Sequence, residues 1–412
     1  MSKINDLIKK LCPNGVDYKP LKDVFELFSG MTGVSNKWAE EGNCRFIDYM
    51  NAYKNNKIDI TKLPYATVKN TKQTTLIRGD LLLTSASEVP DECAIASVIE
   101  DKIQDGIFMD DHLFGLRLKD EYKNIINTTF ISYYLNSNPF RCDLFKAVRG
   151  VTRFYISNKD YMKLSIPIPP LEVQNEIVRI LDKFGELEAE LEAELEARKS
   201  QYEFWCGKLF DFDENVKELS LEELCNIVDY RGKTPKKVES GIFLVTAKNI
   251  KMGYIDYEYS KEYIAESDFN EVMRRGEANI GDVLFTTEAP CGHVAQVDKP
   301  NIALAQRVIK YSSKDLSQLS NKYLKYALLS NQFQNKLLGT STGATVKGIK
   351  GSKLHKMTIP VPTIEKQNQI VNILERFDKL INDISVGLPA EIELRRKQYE
   401  YYRNKLLTFE EI

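Results

Sequence analysis

Apolar residues recur at helical spacing in two long segments of the chain. Intervals of three and four residues place such side chains on one face of an α-helix. Each pattern predicts a helix of about 40 residues, or ~60 Å at 1.5 Å per residue. A stripe of that length needs a partner helix, and each stripe can serve the other. The apolar positions are 177, 180, 184, 187, 191, 195, 202, 205 and 209 in the first segment, and 370, 373, 377, 380, 384, 388, 392, 399, 402 and 406 in the second.

The two helical segments open and close with similar sequences. Residues 166–184 and 359–377 are identical at 11 of 19 positions, and residues 198–212 resemble residues 395–409. Prolines at the start of both segments stop the preceding strand and prepare a helix start. The similarity predicts that the two helices are copies of one element.

Weaker similarity extends upstream of the helices. RGDLLLTSASE at 78–88 corresponds to IGDVLFTTEAP at 280–290, and the segment at Leu21 corresponds to the one at Leu221. The chain is therefore two copies of about 200 residues, each a globular part followed by a helical part. Because the helical parts are similar and the globular parts have diverged, we expect a shared scaffold role for the helices. The globular parts then perform different versions of one task.

The second helical segment differs from the first in its middle. The first carries a leucine–acidic tetrapeptide array that starts at Leu187, Leu191 and Leu195. The second replaces it with a stretch four residues longer that contains Gly387 and Pro389. Proline removes a backbone donor and clashes with the preceding turn, so this sequence predicts a break or kink in the second helix.

The globular parts mix short apolar runs with helical patches, which is typical of compact mixed domains. The predicted fold class is α+β (mixed α/β), with two globular domains separated by two long antiparallel coiled-coil helices in a pseudo-two-fold internal duplication. The predicted segments are an N-terminal segment 1–15, a first globular domain 16–165, a central helical spacer 166–212, a second globular domain 213–358 and a C-terminal helical spacer 359–412.

Composition narrows the cellular setting. No apolar run approaches the ~20 residues that span a bilayer, and the first residues lack the hydrophobic stretch of a signal peptide. The seven cysteines form no CxxC pair, which favours reduced thiols over a disulfide framework or a zinc site. We therefore expect a cytoplasmic protein that does not interact with membranes.

Charge is distributed unevenly along the chain, although the formal net charge is only −2. Residues 166–212 carry a net charge of about −6, residues 216–358 about +5 and residues 16–165 about 0. A basic second domain suits a phosphate-binding face, but ordinary variation of surface charge also accounts for it.

Two kinds of loop carry chemistry suited to nucleic acid. Residues 147–157 and 339–353 combine small residues and hydroxyls with cations, so that backbone amides can approach a phosphate. Residues 231–237 hold four cations and precede the string VTAKNIKMG at 245–253. A flexible connector and a solvated turn remain open as structural alternatives. The candidate DNA-binding residues are Arg149, Thr152, Arg153, Arg231, Lys233, Lys236, Lys248, Asn249, Thr287, Arg307, Thr345, Lys347 and Lys350.

The sequence offers little for a catalytic site. Its three histidines, His112, His293 and His355, have no partners at catalytic or metal-binding spacing. Residues 90–102 have the order of a nuclease carboxylate–lysine cluster, but the spacing is short and the second copy does not keep it. Residues 138–140 resemble a fragment of an adenine-methyltransferase motif without its second proline or a glycine-rich AdoMet loop. No catalytic residue and no metal site are therefore predicted.

The chain resembles the specificity subunit of type I restriction–modification systems. The resemblance rests on the PxPPLxxQNxIVxIL-type openings at 167–181 and 360–374, the QYEFW and QYEYY helix ends, the tetrapeptide array, and the second-domain string RGKTP…VTAKNI…GDVLFTTEAP…AQRVI. It covers nearly the whole chain. The first domain lacks the RGKTP and TTEAP strings, so residue roles transfer weakly there.

The resemblance implies a function and partners. Two target-recognition domains would each recognise one half of a bipartite, asymmetric site in double-stranded DNA. The antiparallel helices would act as a spacer and dock two modification (methyltransferase) subunits, and restriction (nuclease and translocase) subunits would join them. The resemblance implies no cofactor on this chain, with AdoMet, ATP and Mg on the partner subunits. Two other functions stay open, a stand-alone DNA-modifying enzyme and a coiled-coil protein scaffold that does not bind DNA.

Overall fold

The computed structural model describes residues 2–69, 73–230, 235–341, 348–382 and 386–412. The chain forms two compact units, one of residues 1–190 with 393–412 and the other of residues 191–392. Among the described residues, no helix is both long and apolar enough to cross a membrane.

Helices and short strands alternate through the first half of the chain. In order they are α1 (Ser2–Leu11), β1 (Tyr18–Pro20), α2 (Leu21–Val24), β2 (Phe25–Ser29), β3 (Val34–Ala39), β4 (Cys44–Ile47), α3 (Tyr49–Lys54), β5 (Tyr65–Val68), β6 (Leu81–Thr84), β7 (Ala86–Ser87), β8 (Ala96–Val98), β9 (Ile107–Met109), β10 (Leu113–Leu118), α4 (Thr128–Leu135), α5 (Asn138–Phe145), β11 (Phe154–Tyr155), α6 (Asn158–Tyr161), β12 (Ser165–Pro167) and α7 (Leu171–Lys208).

The second half repeats this order with small differences. Its elements are β13 (Glu218–Ser220), α8 (Leu221–Leu224), β14 (Cys225–Asp229), β15 (Lys237–Val238), β16 (Ile242–Val245), β17 (Tyr263–Ile264), α9 (Phe269–Val272), β18 (Val283–Thr287), β19 (Cys291–Gln296), β20 (Ile302–Leu304), β21 (Val308–Ser313), α10 (Asn321–Leu329), α11 (Asn331–Thr340), α12 (Gly351–Leu354), β22 (Thr358–Pro360), α13 (Ile364–Asn382) and α14 (Leu388–Leu406).

Both units contain the same two four-stranded sheets. In the first unit the strand orders are β2-β10-β6-β8 and β3-β5-β4-β9, and in the second they are β14-β21-β18-β19 and β15-β17-β16-β20. Each unit has an equivalent parallel pair among its described strands, β4 with β9 and β16 with β20. The duplication predicted from sequence therefore extends through the globular parts, and the mixed α+β fold is confirmed.

A two-stranded ladder joins the two borders of each globular part. Strand β1 pairs with β12, with Tyr18 opposite Pro167, and β13 pairs with β22, with Glu218 opposite Pro360. All four strands have three residues. The first and last strands of each globular part therefore lie side by side, and a long helix begins shortly after the last strand.

The central strands β6 and β18 are buried along their whole length. Each of the two strands follows a Gly-Asp pair with a buried carboxylate. Asp80 accepts a hydrogen bond from the backbone N–H of Ile77, and Asp282 accepts one from that of Asn279. Continuous apolar runs such as LLL and VLF suit strands that are covered on both faces.

Each buried aspartate is neutralised by a cation on the neighbouring strand. Lys310 Nζ lies 2.9 Å from Asp282 Oδ2 in the second unit, whereas Arg117 makes two hydrogen bonds of 2.7 and 2.8 Å with Asp80 in the first. Gly115 occupies the position equivalent to Lys310, and a side chain there would collide with the ring of Phe28. In the first unit the cation is therefore two residues further along the strand, at Arg117, which lies on the same face as position 115.

A glutamine repeated in both helix openings fixes each helix to its globular part. The side-chain oxygen of Gln174 accepts a hydrogen bond from the backbone N–H of Asn127. Its amide nitrogen donates hydrogen bonds to the carbonyls of Ile125 and Pro169. Gln367 repeats the pattern with Ser320, Gln318 and Pro362. Both glutamines are fully buried, so their hydrogen bonds are needed, which explains why the two copies agree here.

The long helices follow the predicted pattern. Helix α7 has 38 residues, close to the length expected from its apolar stripe. The second helical segment is divided into α13 and α14, as Gly387 and Pro389 predict, and residues 383–385 lie outside the described part of the chain. The five segment boundaries proposed from the sequence stay predictions.

In the first unit, the beginning of α7 and the end of α14 run antiparallel. The ring of Phe184 packs against the rings of Tyr399 and Tyr402, and Glu188, one turn further along α7, pairs with Arg396, which lies earlier on α14. In the second unit, Tyr202 of α7 packs against Phe377 of α13. The two helical segments are thus mutual partners within each unit.

Candidate nucleic-acid interface

The first candidate loop is a tight hairpin. Arg149 and Tyr155 exchange two backbone hydrogen bonds of 2.9 Å, and the loop between them holds Thr152 and Arg153, both exposed. Gly150 has φ +125°, and a side chain there would collide with the carbonyl of Arg153. The glycine is therefore required by the turn, which projects the cations Arg149 and Arg153 into solvent.

The second candidate loop attaches at the equivalent place. Gly348 bridges to Glu288, just as Tyr155 pairs with Ala86 in the first unit. Lys350, which follows, is exposed. Thr345 and Lys347 lie outside the described residues. The correspondence of the two loops that the sequence suggested is thus present in the strand register.

The cationic loop of the second unit is described only in part. Arg231 and Lys233 lie outside the described residues, whereas Lys236 and Lys248 are exposed. These two side chains are accessible to a polyanion.

The predicted DNA contact of Asn249 is wrong, because the side chain of this residue is fully buried. Its amide oxygen accepts hydrogen from the backbone and the hydroxyl of Thr246 at 3.0 and 2.8 Å. Its amide nitrogen donates to the carbonyls of Asp256 and Ser260. Asn249 closes the loop that presents Lys248, and no polar atom of its side chain is left for a ligand.

Thr287 must also be corrected from a contact residue to a positioning residue. It is buried, and its backbone N–H and its hydroxyl donate to the carbonyl of Arg307 at 3.0 and 3.3 Å. What Thr287 holds in place is therefore Arg307.

Arg307 occupies an unusual place between the two sheets of its unit. It is the last residue of the three-residue link from β20 to β21, and its φ is +72°, which is rare for a residue with a large side chain. Its Nε lies 3.2 Å from Oε1 of Glu288, and its side chain is 54 % exposed. Backbone strain of this kind persists where neighbouring contacts fix the position, and it is frequent at binding sites.

The first unit places His112 at the same position, which the sequence analysis missed. His112 ends the three-residue link from β9 to β10, and its carbonyl accepts hydrogen from the backbone N–H and hydroxyl of Ser85 at 3.0 and 2.7 Å. The match of Ser85 in RGDLLLTS with Thr287 in IGDVLFTT could have located it. In the sequence, His112 is a candidate only for a catalytic or metal-binding role.

Acidic residues surround His112. Its Nδ1 lies 2.9 Å from Asp110 Oδ1 and 3.0 Å from Asp111 Oδ1, and Lys37 forms ion pairs with both carboxylates. Burial would raise the pKa of Asp111, but hydrogen bonds with Asp110 and Lys37 and the nearby positive charges outweigh it and lower the pKa to about 2. Burial would lower the pKa of Lys37, and its hydrogen bonds with Asp111 and Asp110 raise it instead. Near neutral pH Lys37 is therefore charged and Asp111 ionised.

The same three residues have the chemistry of metal ligands. Ligand atoms of Asp110, Asp111 and His112 lie within 4.8 Å of one another. Lys37 Nζ forms ion pairs with both carboxylates, and its single positive charge offsets one of their two negative charges.

The family profile described as Type I restriction modification DNA specificity domain matches residues 13–197 and 213–394. The chain belongs to this family of specificity subunits. Its two matched segments are DNA specificity domains, which agrees with the duplication seen in both sequence and sheet order.

Curated relatives carry the same description. The specificity subunit of the type I restriction enzyme EcoR124I/EcoR124II of Escherichia coli is 34% identical over 314 residues, which are 70% of this chain and 72% of the relative. A putative type I restriction enzyme specificity subunit of Haemophilus influenzae is 30% identical over 301 residues, 70% of this chain and 74% of that protein.

Solved structures share the fold. One solved structure comes from work on the complex assembly and conformational transition of the type I R-M system. It aligns with a TM-score of 0.66 at 15% identity, over 96% of this chain and 98% of that one. The S subunit of a type I system from M. genitalium aligns with a TM-score of 0.53 at 14% identity, over 96% and 97% of the two chains. At such low identity these structures support the architecture alone.

Proposed function

We propose that this chain is the DNA sequence-specificity subunit of a type I restriction–modification complex. Each specificity domain recognises one half of a bipartite site, and the helices set the distance between the halves and dock two modification subunits. The proposal rests on the two matches to the specificity family, at residues 13–197 and 213–394. The two units also share the strand order of both their sheets.

The exposed cations of the loops form the proposed DNA-binding surface. Lysine and arginine neutralise phosphates and position a protein on the duplex, while base contacts provide specificity. Within the described part of the chain, the exposed cationic candidates are Arg149, Arg153, Lys236, Lys248, Arg307 and Lys350.

A repeated aromatic pair supports the docking of two identical partners. Phe204 near the end of α7 and Tyr401 near the end of α14 are equivalent in the duplication, and each is 60 % exposed. Lys208 lies 5.7 Å from the ring centre of Phe204, and Lys405 lies 5.8 Å from that of Tyr401. Large exposed aromatic side chains are frequent at protein–protein interfaces, and two copies of one surface suit two copies of one subunit.

The chemistry of modification and cleavage belongs to the partner subunits in this proposal. The chain itself is non-catalytic, and AdoMet, ATP and Mg act on the modification and restriction subunits. Its task is to place a target base within reach of those subunits.

Sequencing of methylated bases in the host genome, with and without this gene, tests the function. The expected result is a bipartite motif with methylated adenine that disappears on deletion. A purified chain that methylates or cleaves DNA alone would instead indicate a stand-alone enzyme. A complex reconstituted with its modification subunits that retards no duplex in a gel would indicate a protein scaffold.

A further inference from the structure

The two units place different side chains at one equivalent position, His112 in the first and Arg307 in the second. We propose that these two residues are base-recognising residues, each fixing the identity of a base in its own half-site. This inference rests on the proposed function and goes beyond it, because it assigns specificity to one position in each domain.

The equivalence follows from strand register. Leu113 pairs with Thr84 at the start of β10, and Val308 pairs with Thr286 at the start of β21. His112 and Arg307 immediately precede these strands, in links of three residues that connect the two sheets of each unit. Ser85 and Thr287 then donate to the carbonyls of His112 and Arg307 in the same way. The carbonyl is thus held alike in both units, whereas φ is positive at Arg307 (+72°) and not at His112, and the side chain differs.

Both side chains are held on one side and open on the other. Each is 54 % exposed, and each has an acidic neighbour that binds one of its nitrogen atoms. A carboxylate can only accept hydrogen, so Nδ1 of His112 carries the hydrogen that points to Asp110. The other ring nitrogen, Nε2, is left for a ligand outside the domain. Glu288 binds Nε of Arg307, which leaves the terminal Nη groups as donors.

The charges around His112 favour a base edge over a phosphate. Asp110 and Asp111 lie beside the ring, and Lys37 offsets only one of their two charges, so an approaching phosphate would be repelled. A base edge carries no net charge and avoids this repulsion. The acidic neighbours also restrict the ring to one orientation, which a residue that distinguishes bases requires.

The two side chains select different bases. Nε2 of His112 offers a single hydrogen-bonding atom to a base edge in the major groove. The donors of an arginine suit O6 and N7 of guanine, the commonest specific contact of this side chain. The two half-sites should therefore differ at the base that this position contacts, as expected for an asymmetric site.

The test uses the complete complex, with the chain and its modification subunits expressed in a host whose methylated motif is sequenced. We expect His112→Ala to relax one base position in one half-site, and Arg307→Ala to relax one position in the other. Binding to duplexes that carry each base at the relaxed position should show discrimination reduced about 10- to 100-fold. His112→Gln and Arg307→Lys retain polar groups at these positions and should alter, rather than restore, the base preference.

Lys119 and Lys314 provide matched controls. They are equivalent residues just beyond the far ends of β10 and β21, roughly 20 Å from His112 and Arg307 at the rise of a strand. Lys119→Ala and Lys314→Ala each remove one cation, and the methylated motif should not change.

The outcomes separate this inference from the proposed function. A wild-type complex without any bipartite motif contradicts the proposed function. A wild-type motif that persists with unchanged base preferences in both His112 variants, or in both Arg307 variants, overturns the inference alone. Affinity that falls equally for all bases identifies phosphate contacts and also overturns it. If His112→Ala or Arg307→Ala does not assemble, the motif of the corresponding polar variant decides.

Discussion

The ring of Phe184 packs against the ring of Tyr399, with centroids 6.4 Å apart and planes inclined by 56°. The second unit contains the equivalent pair with the copies exchanged, since Phe377 packs against Tyr202 at 6.3 Å and 56°. Each helical segment thus supplies an early phenylalanine in one unit and a late tyrosine in the other. This reciprocity explains why both residues recur in the two copies of the sequence.

Replacing Phe184 by alanine should destabilise the first unit by roughly 2 kcal/mol, because it removes a half-buried aromatic pair between α7 and α14. Hydrogen exchange of the α14 backbone amides measures the effect. Tyr401→Ala is the control, since this exposed ring should contribute less than about 0.5 kcal/mol to the isolated chain. Equal protection in both variants would contradict the assigned packing.

Deleting Leu191–Glu194 should change the gap between the half-sites and leave the recognised bases unchanged. The four residues lie within α7, so the helix shortens by ~6 Å and its end rotates by ~40° beyond a full turn. One base pair advances DNA by ~3.4 Å, so a change of one or two base pairs is expected. Methylation mapping of the deletant measures the gap, and an unaltered gap would show that α7 does not act as a ruler.

The hairpin cations should contribute salt-dependent affinity. Removing one cation that binds a phosphate should reduce the slope of log K against log salt by about 0.9, so Arg149→Ala with Arg153→Ala should reduce it by up to about 2. Titrations of a duplex at several salt concentrations measure the slope. Lys163→Ala, which removes an exposed cation paired with Asp160, should leave the slope unchanged. A changed motif with an unchanged slope would mean that the hairpin contacts bases.

Removing Asp282 should destabilise the second unit by about 3 kcal/mol, because Lys310 would keep a buried charge without its carboxylate. Asp80→Ala should have a comparable effect on the first unit, where Arg117 loses its partner. Hydrogen exchange distinguishes the two units. Asp282→Ala combined with Lys310→Met should regain part of the loss, and no recovery would mean that the carboxylate acts mainly through its backbone hydrogen bond to Asn279.

Phe204→Ala and Tyr401→Ala should each weaken the binding of one modification subunit. Truncating a buried aromatic residue at an interface commonly costs about 2 kcal/mol or more, which is about 30-fold in affinity. Mass measurement of the complex should give one bound subunit for each single variant at a limiting concentration. Glu192→Ala, which changes an exposed residue of α7, is the control and should leave both subunits bound. Full assembly with the double variant would place the docking surface elsewhere.

Sequence periodicity located the long helices, their mutual pairing and the break near Gly387. These features are expressed locally and repeat, so one chain suffices to find them. The polar positions were harder, because Asn249 and Lys248 are adjacent and only the fold shows which side chain points inward. His112 was missed because the offset between the copies changes between β6 and β10, where the loops differ in length. The two candidate loops attach at equivalent strand positions, and their unusual composition makes them visible in the sequence, whereas their DNA-binding role stays a prediction.

The short ladders formed by β1 with β12 and by β13 with β22 have an evolutionary consequence. The gene segment between the two strands of a ladder encodes a part whose entry and exit are adjacent, so recombination can replace it with little disturbance to the flanking helices. Between the two copies, the residues enclosed by the ladders have diverged, whereas the glutamines just outside them, Gln174 and Gln367, are the same. In the proposed complex, exchange of one internal stretch of the gene would change one half-site and leave the helices that dock the modification subunits intact.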